Sequence, residues 1–327
     1  MKNNKIKIGV LGGASIAERY LIPSIQLLED KYELIGVASR TKKNADKFAD
    51  KFNTKGFIGY DNLIKSDLLD AVYIPLPNGL HYEWIKKALN KELHVLVEKS
   101  LACKYEEVEE LTQIARSRDL ALIENFQFRF HKQLERILEI IESGKIGELR
   151  CVRSSFGFPP FPDKNNIRYD KNLGGGALLD AGAYTLKASQ IFLGLDSAIT
   201  SARLYKDHNK GVDIWGGGFI QDNTSKLFSE IAFGFDHQYR CSVDLWGSKG
   251  RLSTNRIFTA PPGYEPKLRL EKQNDINEIV LEPDHHFCNM LNHFYKQCKK
   301  GGSVSEDKLN LNQARLITEF KQLANTE

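Results

Sequence analysis

A strand-like run near the start of the sequence leads into a glycine-rich turn that could bind a phosphate. Residues 5–17 read KIKIGVLGGASIA, in which apolar strand residues precede Gly12 and a helix pattern follows it. Such a turn lets the backbone approach a pyrophosphate, and the helix start offers unpaired N–H groups and the positive end of its dipole. The dinucleotide fingerprint G-x-G-x-x-G/A would run from Gly12 to Ala17, with alanine in place of the middle glycine. The predicted phosphate ligands are the turn residues Gly12, Gly13, Ala14, Ser15 and Ile16.

The residues after the second predicted strand, 33–38, would decide which dinucleotide binds. There the chain reads SRTKK from Ser39, with no carboxylate. In NAD-specific sites an acidic side chain at this point binds the ribose hydroxyls, whereas an arginine accommodates a ribose 2′-phosphate. Ser39 and Arg40 therefore predict NADP(H) as the cofactor. The alternative is that Arg40 and the two lysines only form a solvated helix start.

Strand and helix patterns alternate through the first 125 residues, as a parallel sheet with crossover helices requires. Further strands are predicted over 71–74, 95–98 and 121–125, with helices over 81–90 and 105–117. In such a sheet, ligands bind beyond the carboxyl ends of the strands. The residues predicted to line that crevice are Gly12, Ser39, Arg40, Leu76, Asn78, Glu98, Lys99 and Asn125.

A second glycine turn, GGGALLDAGAY over residues 174–184, opens another predicted helix. Asp180, Tyr184 and Lys187 follow at helical spacing, so they are predicted to share one face of that helix. Such a cluster could bind a polar ligand. The alternative is that Asp180 only stabilises the helix start while Tyr184 packs in the core.

The length of 327 residues exceeds what one core usually supports, so two domains are expected. Beyond residue 145 the pattern changes to longer alternating runs that predict a largely antiparallel sheet. Two final helices, at about 284–299 and 311–325, are expected to pack back on the body of the protein. The predicted strands of the second domain cover 148–158, 198–205, 216–221, 226–235 and 239–246, with a hairpin-like turn at 247–250.

Composition excludes several classes of protein. A hydrophobic content of 41% and a charged content of 27% are typical of a soluble globular chain. The apolar runs are too short for a bilayer and no targeting segment is recognisable, so a cytoplasmic protein without a membrane partner is expected. The net charge of +4 is too dilute for nucleic-acid binding. Five scattered cysteines and one adjacent histidine pair, His285 and His286, predict no metal site.

Taken together, these motifs resemble the glucose-fructose oxidoreductase, inositol dehydrogenase and MocA (Gfo/Idh/MocA) family of nicotinamide-dependent oxidoreductases. The resemblance covers nearly the whole chain and is greatest to the nucleotide-hexose 3-ketoreductases of that family. It implies a Rossmann domain over 1–125, with a doubly wound parallel sheet. It also implies an α+β domain over 126–327, with a mostly antiparallel, open-faced sheet that binds substrate and helps form a homodimer or homotetramer. The motifs that carry it are GVLGGASIA, PLPNGLH, Glu98-Lys99-Ser100, ENFQFRFHKQ, Ile167-Arg168-Tyr169 and GGGALLDAGAY, together with the Ser39-Arg40 pair.

The resemblance further implies that Lys99 and Tyr184 are the catalytic pair. Reduction of a ketone needs a hydride on carbon and a proton on oxygen, and a tyrosine hydroxyl can donate that proton. A nearby ammonium lowers the pKa of the phenol and stabilises the developing alkoxide. One position departs from the family pattern, because Ser100 stands where proline is usual.

Other positions receive roles on the same basis. His81 lies near the nicotinamide pocket in the related proteins, although a histidine at a helix start is often only a surface cap. Asp180 and Lys187 are expected to bind substrate, and Arg168 to meet the cofactor. Candidates for the nucleotide end of the substrate are Arg153, Arg168 and Lys187, and residues 156–161 and Trp215 could stack on a base or only pack as loops.

The function predicted from the sequence is NADPH-dependent reduction of a sugar ketone, most specifically at C3 of a nucleotide-linked deoxyhexose. One alternative is an NAD(P)-dependent dehydrogenase that oxidises a free sugar, a cyclitol or a UDP-sugar. A second alternative is a non-catalytic NADP(H)-binding regulator, which would have no need of both Lys99 and Tyr184.

Overall fold

A computed structural model describes residues 5–325 and divides the chain into two compact units. The first unit comprises the chain up to Asn125 together with Phe287–Leu311, and the second comprises Phe126–His286 and the chain from Asn312. The strands, in chain order, are β1 (Ile6–Leu11), β2 (Tyr32–Ser39), β3 (Lys55–Ile58), β4 (Ala71–Ile74), β5 (His94–Glu98), β6 (Leu122–Asn125), β7 (Leu149–Gly157), β8 (Ser197–Asp207), β9 (Val212–Asp222), β10 (Phe228–Gly234), β11 (Arg240–Gly247), β12 (Arg251–Thr254), β13 (Lys267–Lys272) and β14 (Asp275–Val280). The helices are α1 (Ile22–Leu27), α2 (Lys42–Phe52), α3 (Tyr60–Ile64), α4 (Asn78–Asn90), α5 (Tyr105–Ser117), α6 (Lys132–Glu142), α7 (Ala183–Leu193), α8 (His286–Lys300) and α9 (Val304–Asn325).

The first unit contains a six-stranded parallel sheet in the order β3-β2-β1-β4-β5-β6. This is the doubly wound order of a Rossmann fold, in which the order reverses between β1 and β4. Buried Val, Ile and Leu residues dominate β1, β4 and β5, as expected for strands with helices on both faces. The predicted fold class is therefore confirmed for this unit.

Helix α8 and the start of α9 belong to the first unit despite their position late in the chain. Phe287 stacks on Tyr20 with ring centroids 5.0 Å apart. Tyr32 is the first residue of β2, and its buried hydroxyl donates to the Leu291 carbonyl at 2.6 Å. This polar group therefore has a hydrogen-bond partner inside the core. Asn310 likewise donates to the carbonyl of Leu122 in β6 at 3.0 Å.

The second unit is built on an eight-stranded sheet in the order β14-β13-β12-β11-β7-β10-β9-β8. Neighbouring strands are antiparallel except for β7 and β10, which are parallel. The mostly antiparallel α+β architecture is therefore confirmed. Helix α7 packs on one face of this sheet, where Phe156 contacts Tyr184. The opposite face carries exposed aromatic side chains, including the stacked pair Tyr205 and Trp215.

Several element bounds differ from the sequence predictions. Helix α4 begins at Asn78 instead of near His81, and α9 begins at Val304 instead of near Leu311. Strands β12 to β14 were not predicted, because their exposed faces are rich in charged residues. The predicted turn at 247–250 does join β11 to β12, with the Gly247 N–H donating to the Gly250 carbonyl at 2.9 Å. No helix within residues 5–325 is both long and apolar enough to cross a bilayer.

Candidate active site and cofactor-binding residues

The glycine turn after β1 has the backbone that a phosphate cradle requires. Gly12 adopts a φ of +119°, and a Cβ there would lie 2.8 Å from Leu76 Cδ2. A Cβ on Gly13 would lie 2.5 Å from the Phe48 ring, so neither position accepts a side chain. Gly13 and Ser15 are exposed, and helical backbone begins at Ser15. This turn therefore leaves N–H groups open to a pyrophosphate.

Arg40 directly follows β2 and is exposed. Among residues 5–325, its guanidinium has no hydrogen-bond or ion-pair partner, whereas the neighbouring Lys42 pairs with Asp46 at 2.7 Å. Burial raises the pKa of Tyr60, and the nearby charge of Arg40 opposes that shift. An unneutralised cation at this strand end fits a 2′-phosphate. Ser39 is buried, and its carbonyl accepts the Gly59 N–H at 2.8 Å.

The end of β4 and the start of α4 surround His81, which is fully buried. Its Nε2 lies 2.7 Å from the Leu76 carbonyl and its Nδ1 lies 2.8 Å from the Ser100 carbonyl. Burial lowers the pKa of His81 to about 4. The alternative that His81 is a surface cap is therefore wrong. Asn78 is the first residue of α4 and is half-buried.

Polar side chains join the carboxyl ends of β4, β5 and β6. Glu98 Oε1 accepts hydrogen bonds from the Tyr73 hydroxyl and from Asn125 Nδ2, both at 2.7 Å. Glu98 is thus held by side chains of the two neighbouring strands. Roles for Glu98 and Asn125 in binding the cofactor stay predictions.

The half-buried Lys99 begins the loop after β5, and the Lys99–Ser100 peptide bond is cis. The next residue, Leu101, donates its N–H to Glu124 Oε1 at 2.9 Å. Ser100 and Glu124 are both buried. The backbone on the C-terminal side of Lys99 is therefore fixed by side chains from α4 and β6.

In the second unit, Tyr184 lies at the start of α7 inside an aromatic cluster. Its hydroxyl lies 3.3 Å from Gln127 Nε2 and 3.4 Å from Gln127 Oε1. A side-chain amide can both donate to and accept from a phenol, so Gln127 can hold Tyr184 in either role. The phenylalanines around the Tyr184 ring, with centroids 5.2 to 5.9 Å away, are Phe126, Phe128, Phe156 and Phe258.

The predicted common face of Asp180, Tyr184 and Lys187 is interrupted by a π-helical turn over Leu178–Gly182. Asp180 accepts from Arg168 Nε at 2.5 Å, and the charge of Asp180 raises the pKa of Arg168. Lys187 is buried, donates to Gln190 Oε1 at 2.8 Å and lies over the Phe126 ring. The three side chains thus have different environments, and the substrate-binding roles of Asp180 and Lys187 stay predictions.

Arg153 and Trp215 occupy the sheet face opposite α7. Arg153 pairs with Glu230 at 2.6 Å and lies over the ring of Trp246. Side chains alternate along a strand, so Arg153 points away from the face where Phe156 meets Tyr184. Both side chains therefore lie on the face away from Tyr184, and the roles considered for Arg153 at the nucleotide end of the substrate and for Trp215 in stacking on a base stay predictions.

Four polar residues that contact the candidate site segments were not singled out from the sequence: Gln127, Glu124, Tyr73 and Asp213, whose carboxylate accepts the Leu178 N–H. Gln127 and Glu124 flank the predicted end of β6, so the rule that strand ends bear ligands could have found them. Tyr73 lies within an apolar strand, and Asp213 contacts a helix 35 positions earlier in the chain, so neither has a local signal.

Comparisons with known proteins match most of the chain. Residues 6–126 match the model of the oxidoreductase family with a NAD-binding Rossmann fold, and residues 134–253 match the GFO/IDH/MocA C-terminal domain. The chain is 36% identical over 301 residues to a dTDP-3,4-didehydro-2,6-dideoxy-alpha-D-glucose 3-reductase of Saccharopolyspora spinosa, covering 92% of this chain and 90% of that protein. It is also 36% identical to the reductase of the same name from Actinomadura kijaniata, over 96% and 94% of the two chains.

A solved structure is also similar over nearly its full length. The crystal structure of a 3-ketoreductase from Actinomadura kijaniata, in complex with NADP and TDP-benzene, superimposes with a TM-score of 0.94 at 35% identity and 98% coverage of both chains. Fold, site and comparisons together define an oxidoreductase with a dinucleotide-binding domain. The chain belongs to the GFO/IDH/MocA family, as the motifs predicted.

Proposed function

We propose that this protein uses NADPH to reduce the C3 ketone of a keto-deoxyhexose linked to a nucleoside diphosphate. The observation that carries the proposal is the similarity, over more than nine tenths of the chain, to 3-reductases that act on a dTDP-linked keto-sugar. The proposed substrate class is that of these relatives. A homodimeric or homotetrameric state stays a prediction.

The residues of the first unit that would hold NADPH fit that molecule. The exposed Gly13 and Ser15 could offer their backbone N–H groups to the pyrophosphate, and Arg40 would bind the 2′-phosphate. No carboxylate follows β2 to repel that phosphate. The bound nicotinamide would supply the hydride. Cofactor contacts by Ala14, Ile16, Leu76, Asn78 and Arg168 belong to the same proposal.

The protein's own contribution to the chemistry is proton delivery and charge stabilisation. The ketone carbon gains a hydride, and its oxygen gains the proton of the Tyr184 hydroxyl, which leaves a phenolate. Gln127 would orient that hydroxyl through its amide. We propose that the Lys99 ammonium binds the ketone oxygen and stabilises its developing negative charge.

The test is an assay of the purified protein with NADPH and dTDP-3,4-didehydro-2,6-dideoxy-α-D-glucose. We expect NADPH oxidation and an alcohol at C3 of the product, identified by proton NMR. Turnover of D-xylose with NADP⁺, but not of the keto-sugar, would instead favour the dehydrogenase alternative. NADPH binding without turnover of either sugar would favour the regulator.

A matched comparison checks whether the protein recognises the nucleotide part of the substrate. The same keto-sugar without dTDP should be reduced with a lower kcat as well as a higher KM, because remote binding energy orients the reacting centre. Equal turnover of the free sugar would show that the nucleotide is not recognised.

A further inference from the structure

The loop that begins at Lys99 is held from two sides by buried polar side chains. On one side, His81 Nδ1 lies 2.8 Å from the Ser100 carbonyl. On the other, Glu124 Oε1 accepts the Leu101 N–H at 2.9 Å. His81 is fully buried and Glu124 is 2% exposed. The two residues that follow Lys99 are thus each tied to a different element, α4 and β6.

The local sequence restricts the backbone of the loop little. Ser100 lacks the ring with which a proline would fix the backbone φ. Its carbonyl and the Leu101 N–H are removed from solvent, so each needs a protein partner. Polar partners inside the domain can hold a catalytic side chain to the fraction of an ångström that its chemistry requires.

We infer that His81 and Glu124 are positioning residues, which act on the reaction by fixing the loop that aims Lys99. The inference rests on the catalytic role proposed for Lys99. Neither side chain needs to touch substrate for this role.

The chemistry of His81 suggests its own conservative replacement. Both of its ring nitrogens face carbonyl oxygens, which only accept hydrogen bonds. Burial favours the neutral ring, whose single N–H holds the loop in the tautomer that carries it on Nδ1, facing the Ser100 carbonyl. A glutamine amide is also neutral and carries N–H donors, so His81→Gln preserves the donor that His81→Phe removes. In the same way, Glu124→Gln preserves an oxygen acceptor for Leu101, whereas Glu124→Met removes it.

The experiment is a set of double-mutant cycles with Lys99→Ala, measured as kcat at saturating NADPH and dTDP-3,4-didehydro-2,6-dideoxy-α-D-glucose. His81→Phe and Glu124→Met should each lower kcat on the order of 10- to 100-fold when Lys99 is present. In the Lys99→Ala background the same changes should cost less than about twofold, because there is no ammonium left to aim. His81→Gln and Glu124→Gln should recover most of the loss.

The cycles separate this inference from the proposed function. If Lys99→Ala alone keeps the wild-type kcat, the proposed role of Lys99 fails, and the inference fails with it. The other outcome is that Lys99→Ala lowers kcat, and that His81→Phe and Glu124→Met lower it by the same factor with and without Lys99. His81 and Glu124 would then act on folding or cofactor binding, and only the inference would be overturned. The two glutamine variants keep an N–H donor at position 81 and an oxygen acceptor at position 124, so they test the inference even if His81→Phe or Glu124→Met does not fold.

Discussion

The carboxylate of Asp213 in β9 accepts the backbone N–H of Leu178 at 2.6 Å, at the start of the helical segment that leads to Tyr184. A Cβ on Gly176, which has a φ of +116°, would collide with the same carboxylate. The strand and the glycine turn therefore fit each other only when position 176 carries no side chain. This contact fixes the N-terminal end of the segment that presents the proposed proton donor.

Removing that carboxylate should destabilise the second unit. Asp213→Ala leaves the Leu178 N–H without its acceptor, which costs about 1–3 kcal/mol of unfolding free energy. Asp213→Asn keeps an oxygen acceptor and should lose less. Urea unfolding checks both variants against Asp275→Ala, an exposed aspartate at the start of β14. Equal stability of Asp213→Ala and the wild type would contradict the proposed anchoring.

The sequence predicted where those candidate site residues lie whose placement depends on neighbours along the chain. Gly12 can be recognised from the sequence because it directly follows a strand and precedes a helix, and Arg40 because it directly follows the next strand. Lys99 and Glu98 are found because parallel strands end at one edge of their sheet. Each inference needs only the local pattern and the rule for parallel sheets.

Contacts between distant segments could not be predicted in this way. The partnership of Gln127 with Tyr184 joins positions 57 residues apart and depends on how α7 packs. The π-helical turn at Leu178–Gly182 also has no sequence signal, so the regular helical spacing of Asp180 and Tyr184 was wrongly expected to continue through it. Strands β13 and β14 pair through charged sequences such as KLRLEK, in which the apolar alternation is short.

Arg40 should decide the choice between NADPH and NADH. We expect the wild type to prefer NADPH, because the exposed guanidinium can bind the 2′-phosphate bidentately. Losing a charge-assisted contact costs about 1.5–3 kcal/mol, so Arg40→Ala should lower kcat/KM for NADPH about 10- to 150-fold. The kcat/KM for NADH, which lacks the 2′-phosphate, should hardly change. Lys42→Ala removes a nearby cation that is paired with Asp46 and serves as the control. Equal use of both cofactors by the wild type would refute the assignment.

Tyr184 should affect the chemical step more than binding. A positioned acid contributes roughly 100- to 10,000-fold, so Tyr184→Phe should lower kcat by that factor and leave the Kd of NADPH nearly unchanged. The ring keeps its aromatic neighbours, so the fold should persist. Tyr205→Phe, on the exposed opposite face of the sheet, is the matched control. A kcat near that of the wild type would mean that another group supplies the proton.

Two buried histidines of the second unit should make it sensitive to acid. His131 Nδ1 accepts the Gln133 N–H at 3.0 Å at the start of α6, which requires a neutral ring. Its ring packs edge to face against His286 at 5.5 Å. Burial lowers the pKa of His131, and burial together with the charges of His131 and His285 lowers that of His286 to about 3.

As the pH falls below about 6.5, the unfolded chain therefore takes up protons that the folded histidines do not, and stability falls. Each histidine can lower the free energy of unfolding by up to about 1.4 kcal/mol for each pH unit of acidification, in the window between its unfolded and folded pKa values. His131→Asn retains a capping acceptor without titrating in this window, so its unfolding free energy should fall less than that of the wild type between pH 7 and pH 5. Urea unfolding at the two pH values measures the difference, and identical pH dependence of the two proteins would exclude His131 as its source.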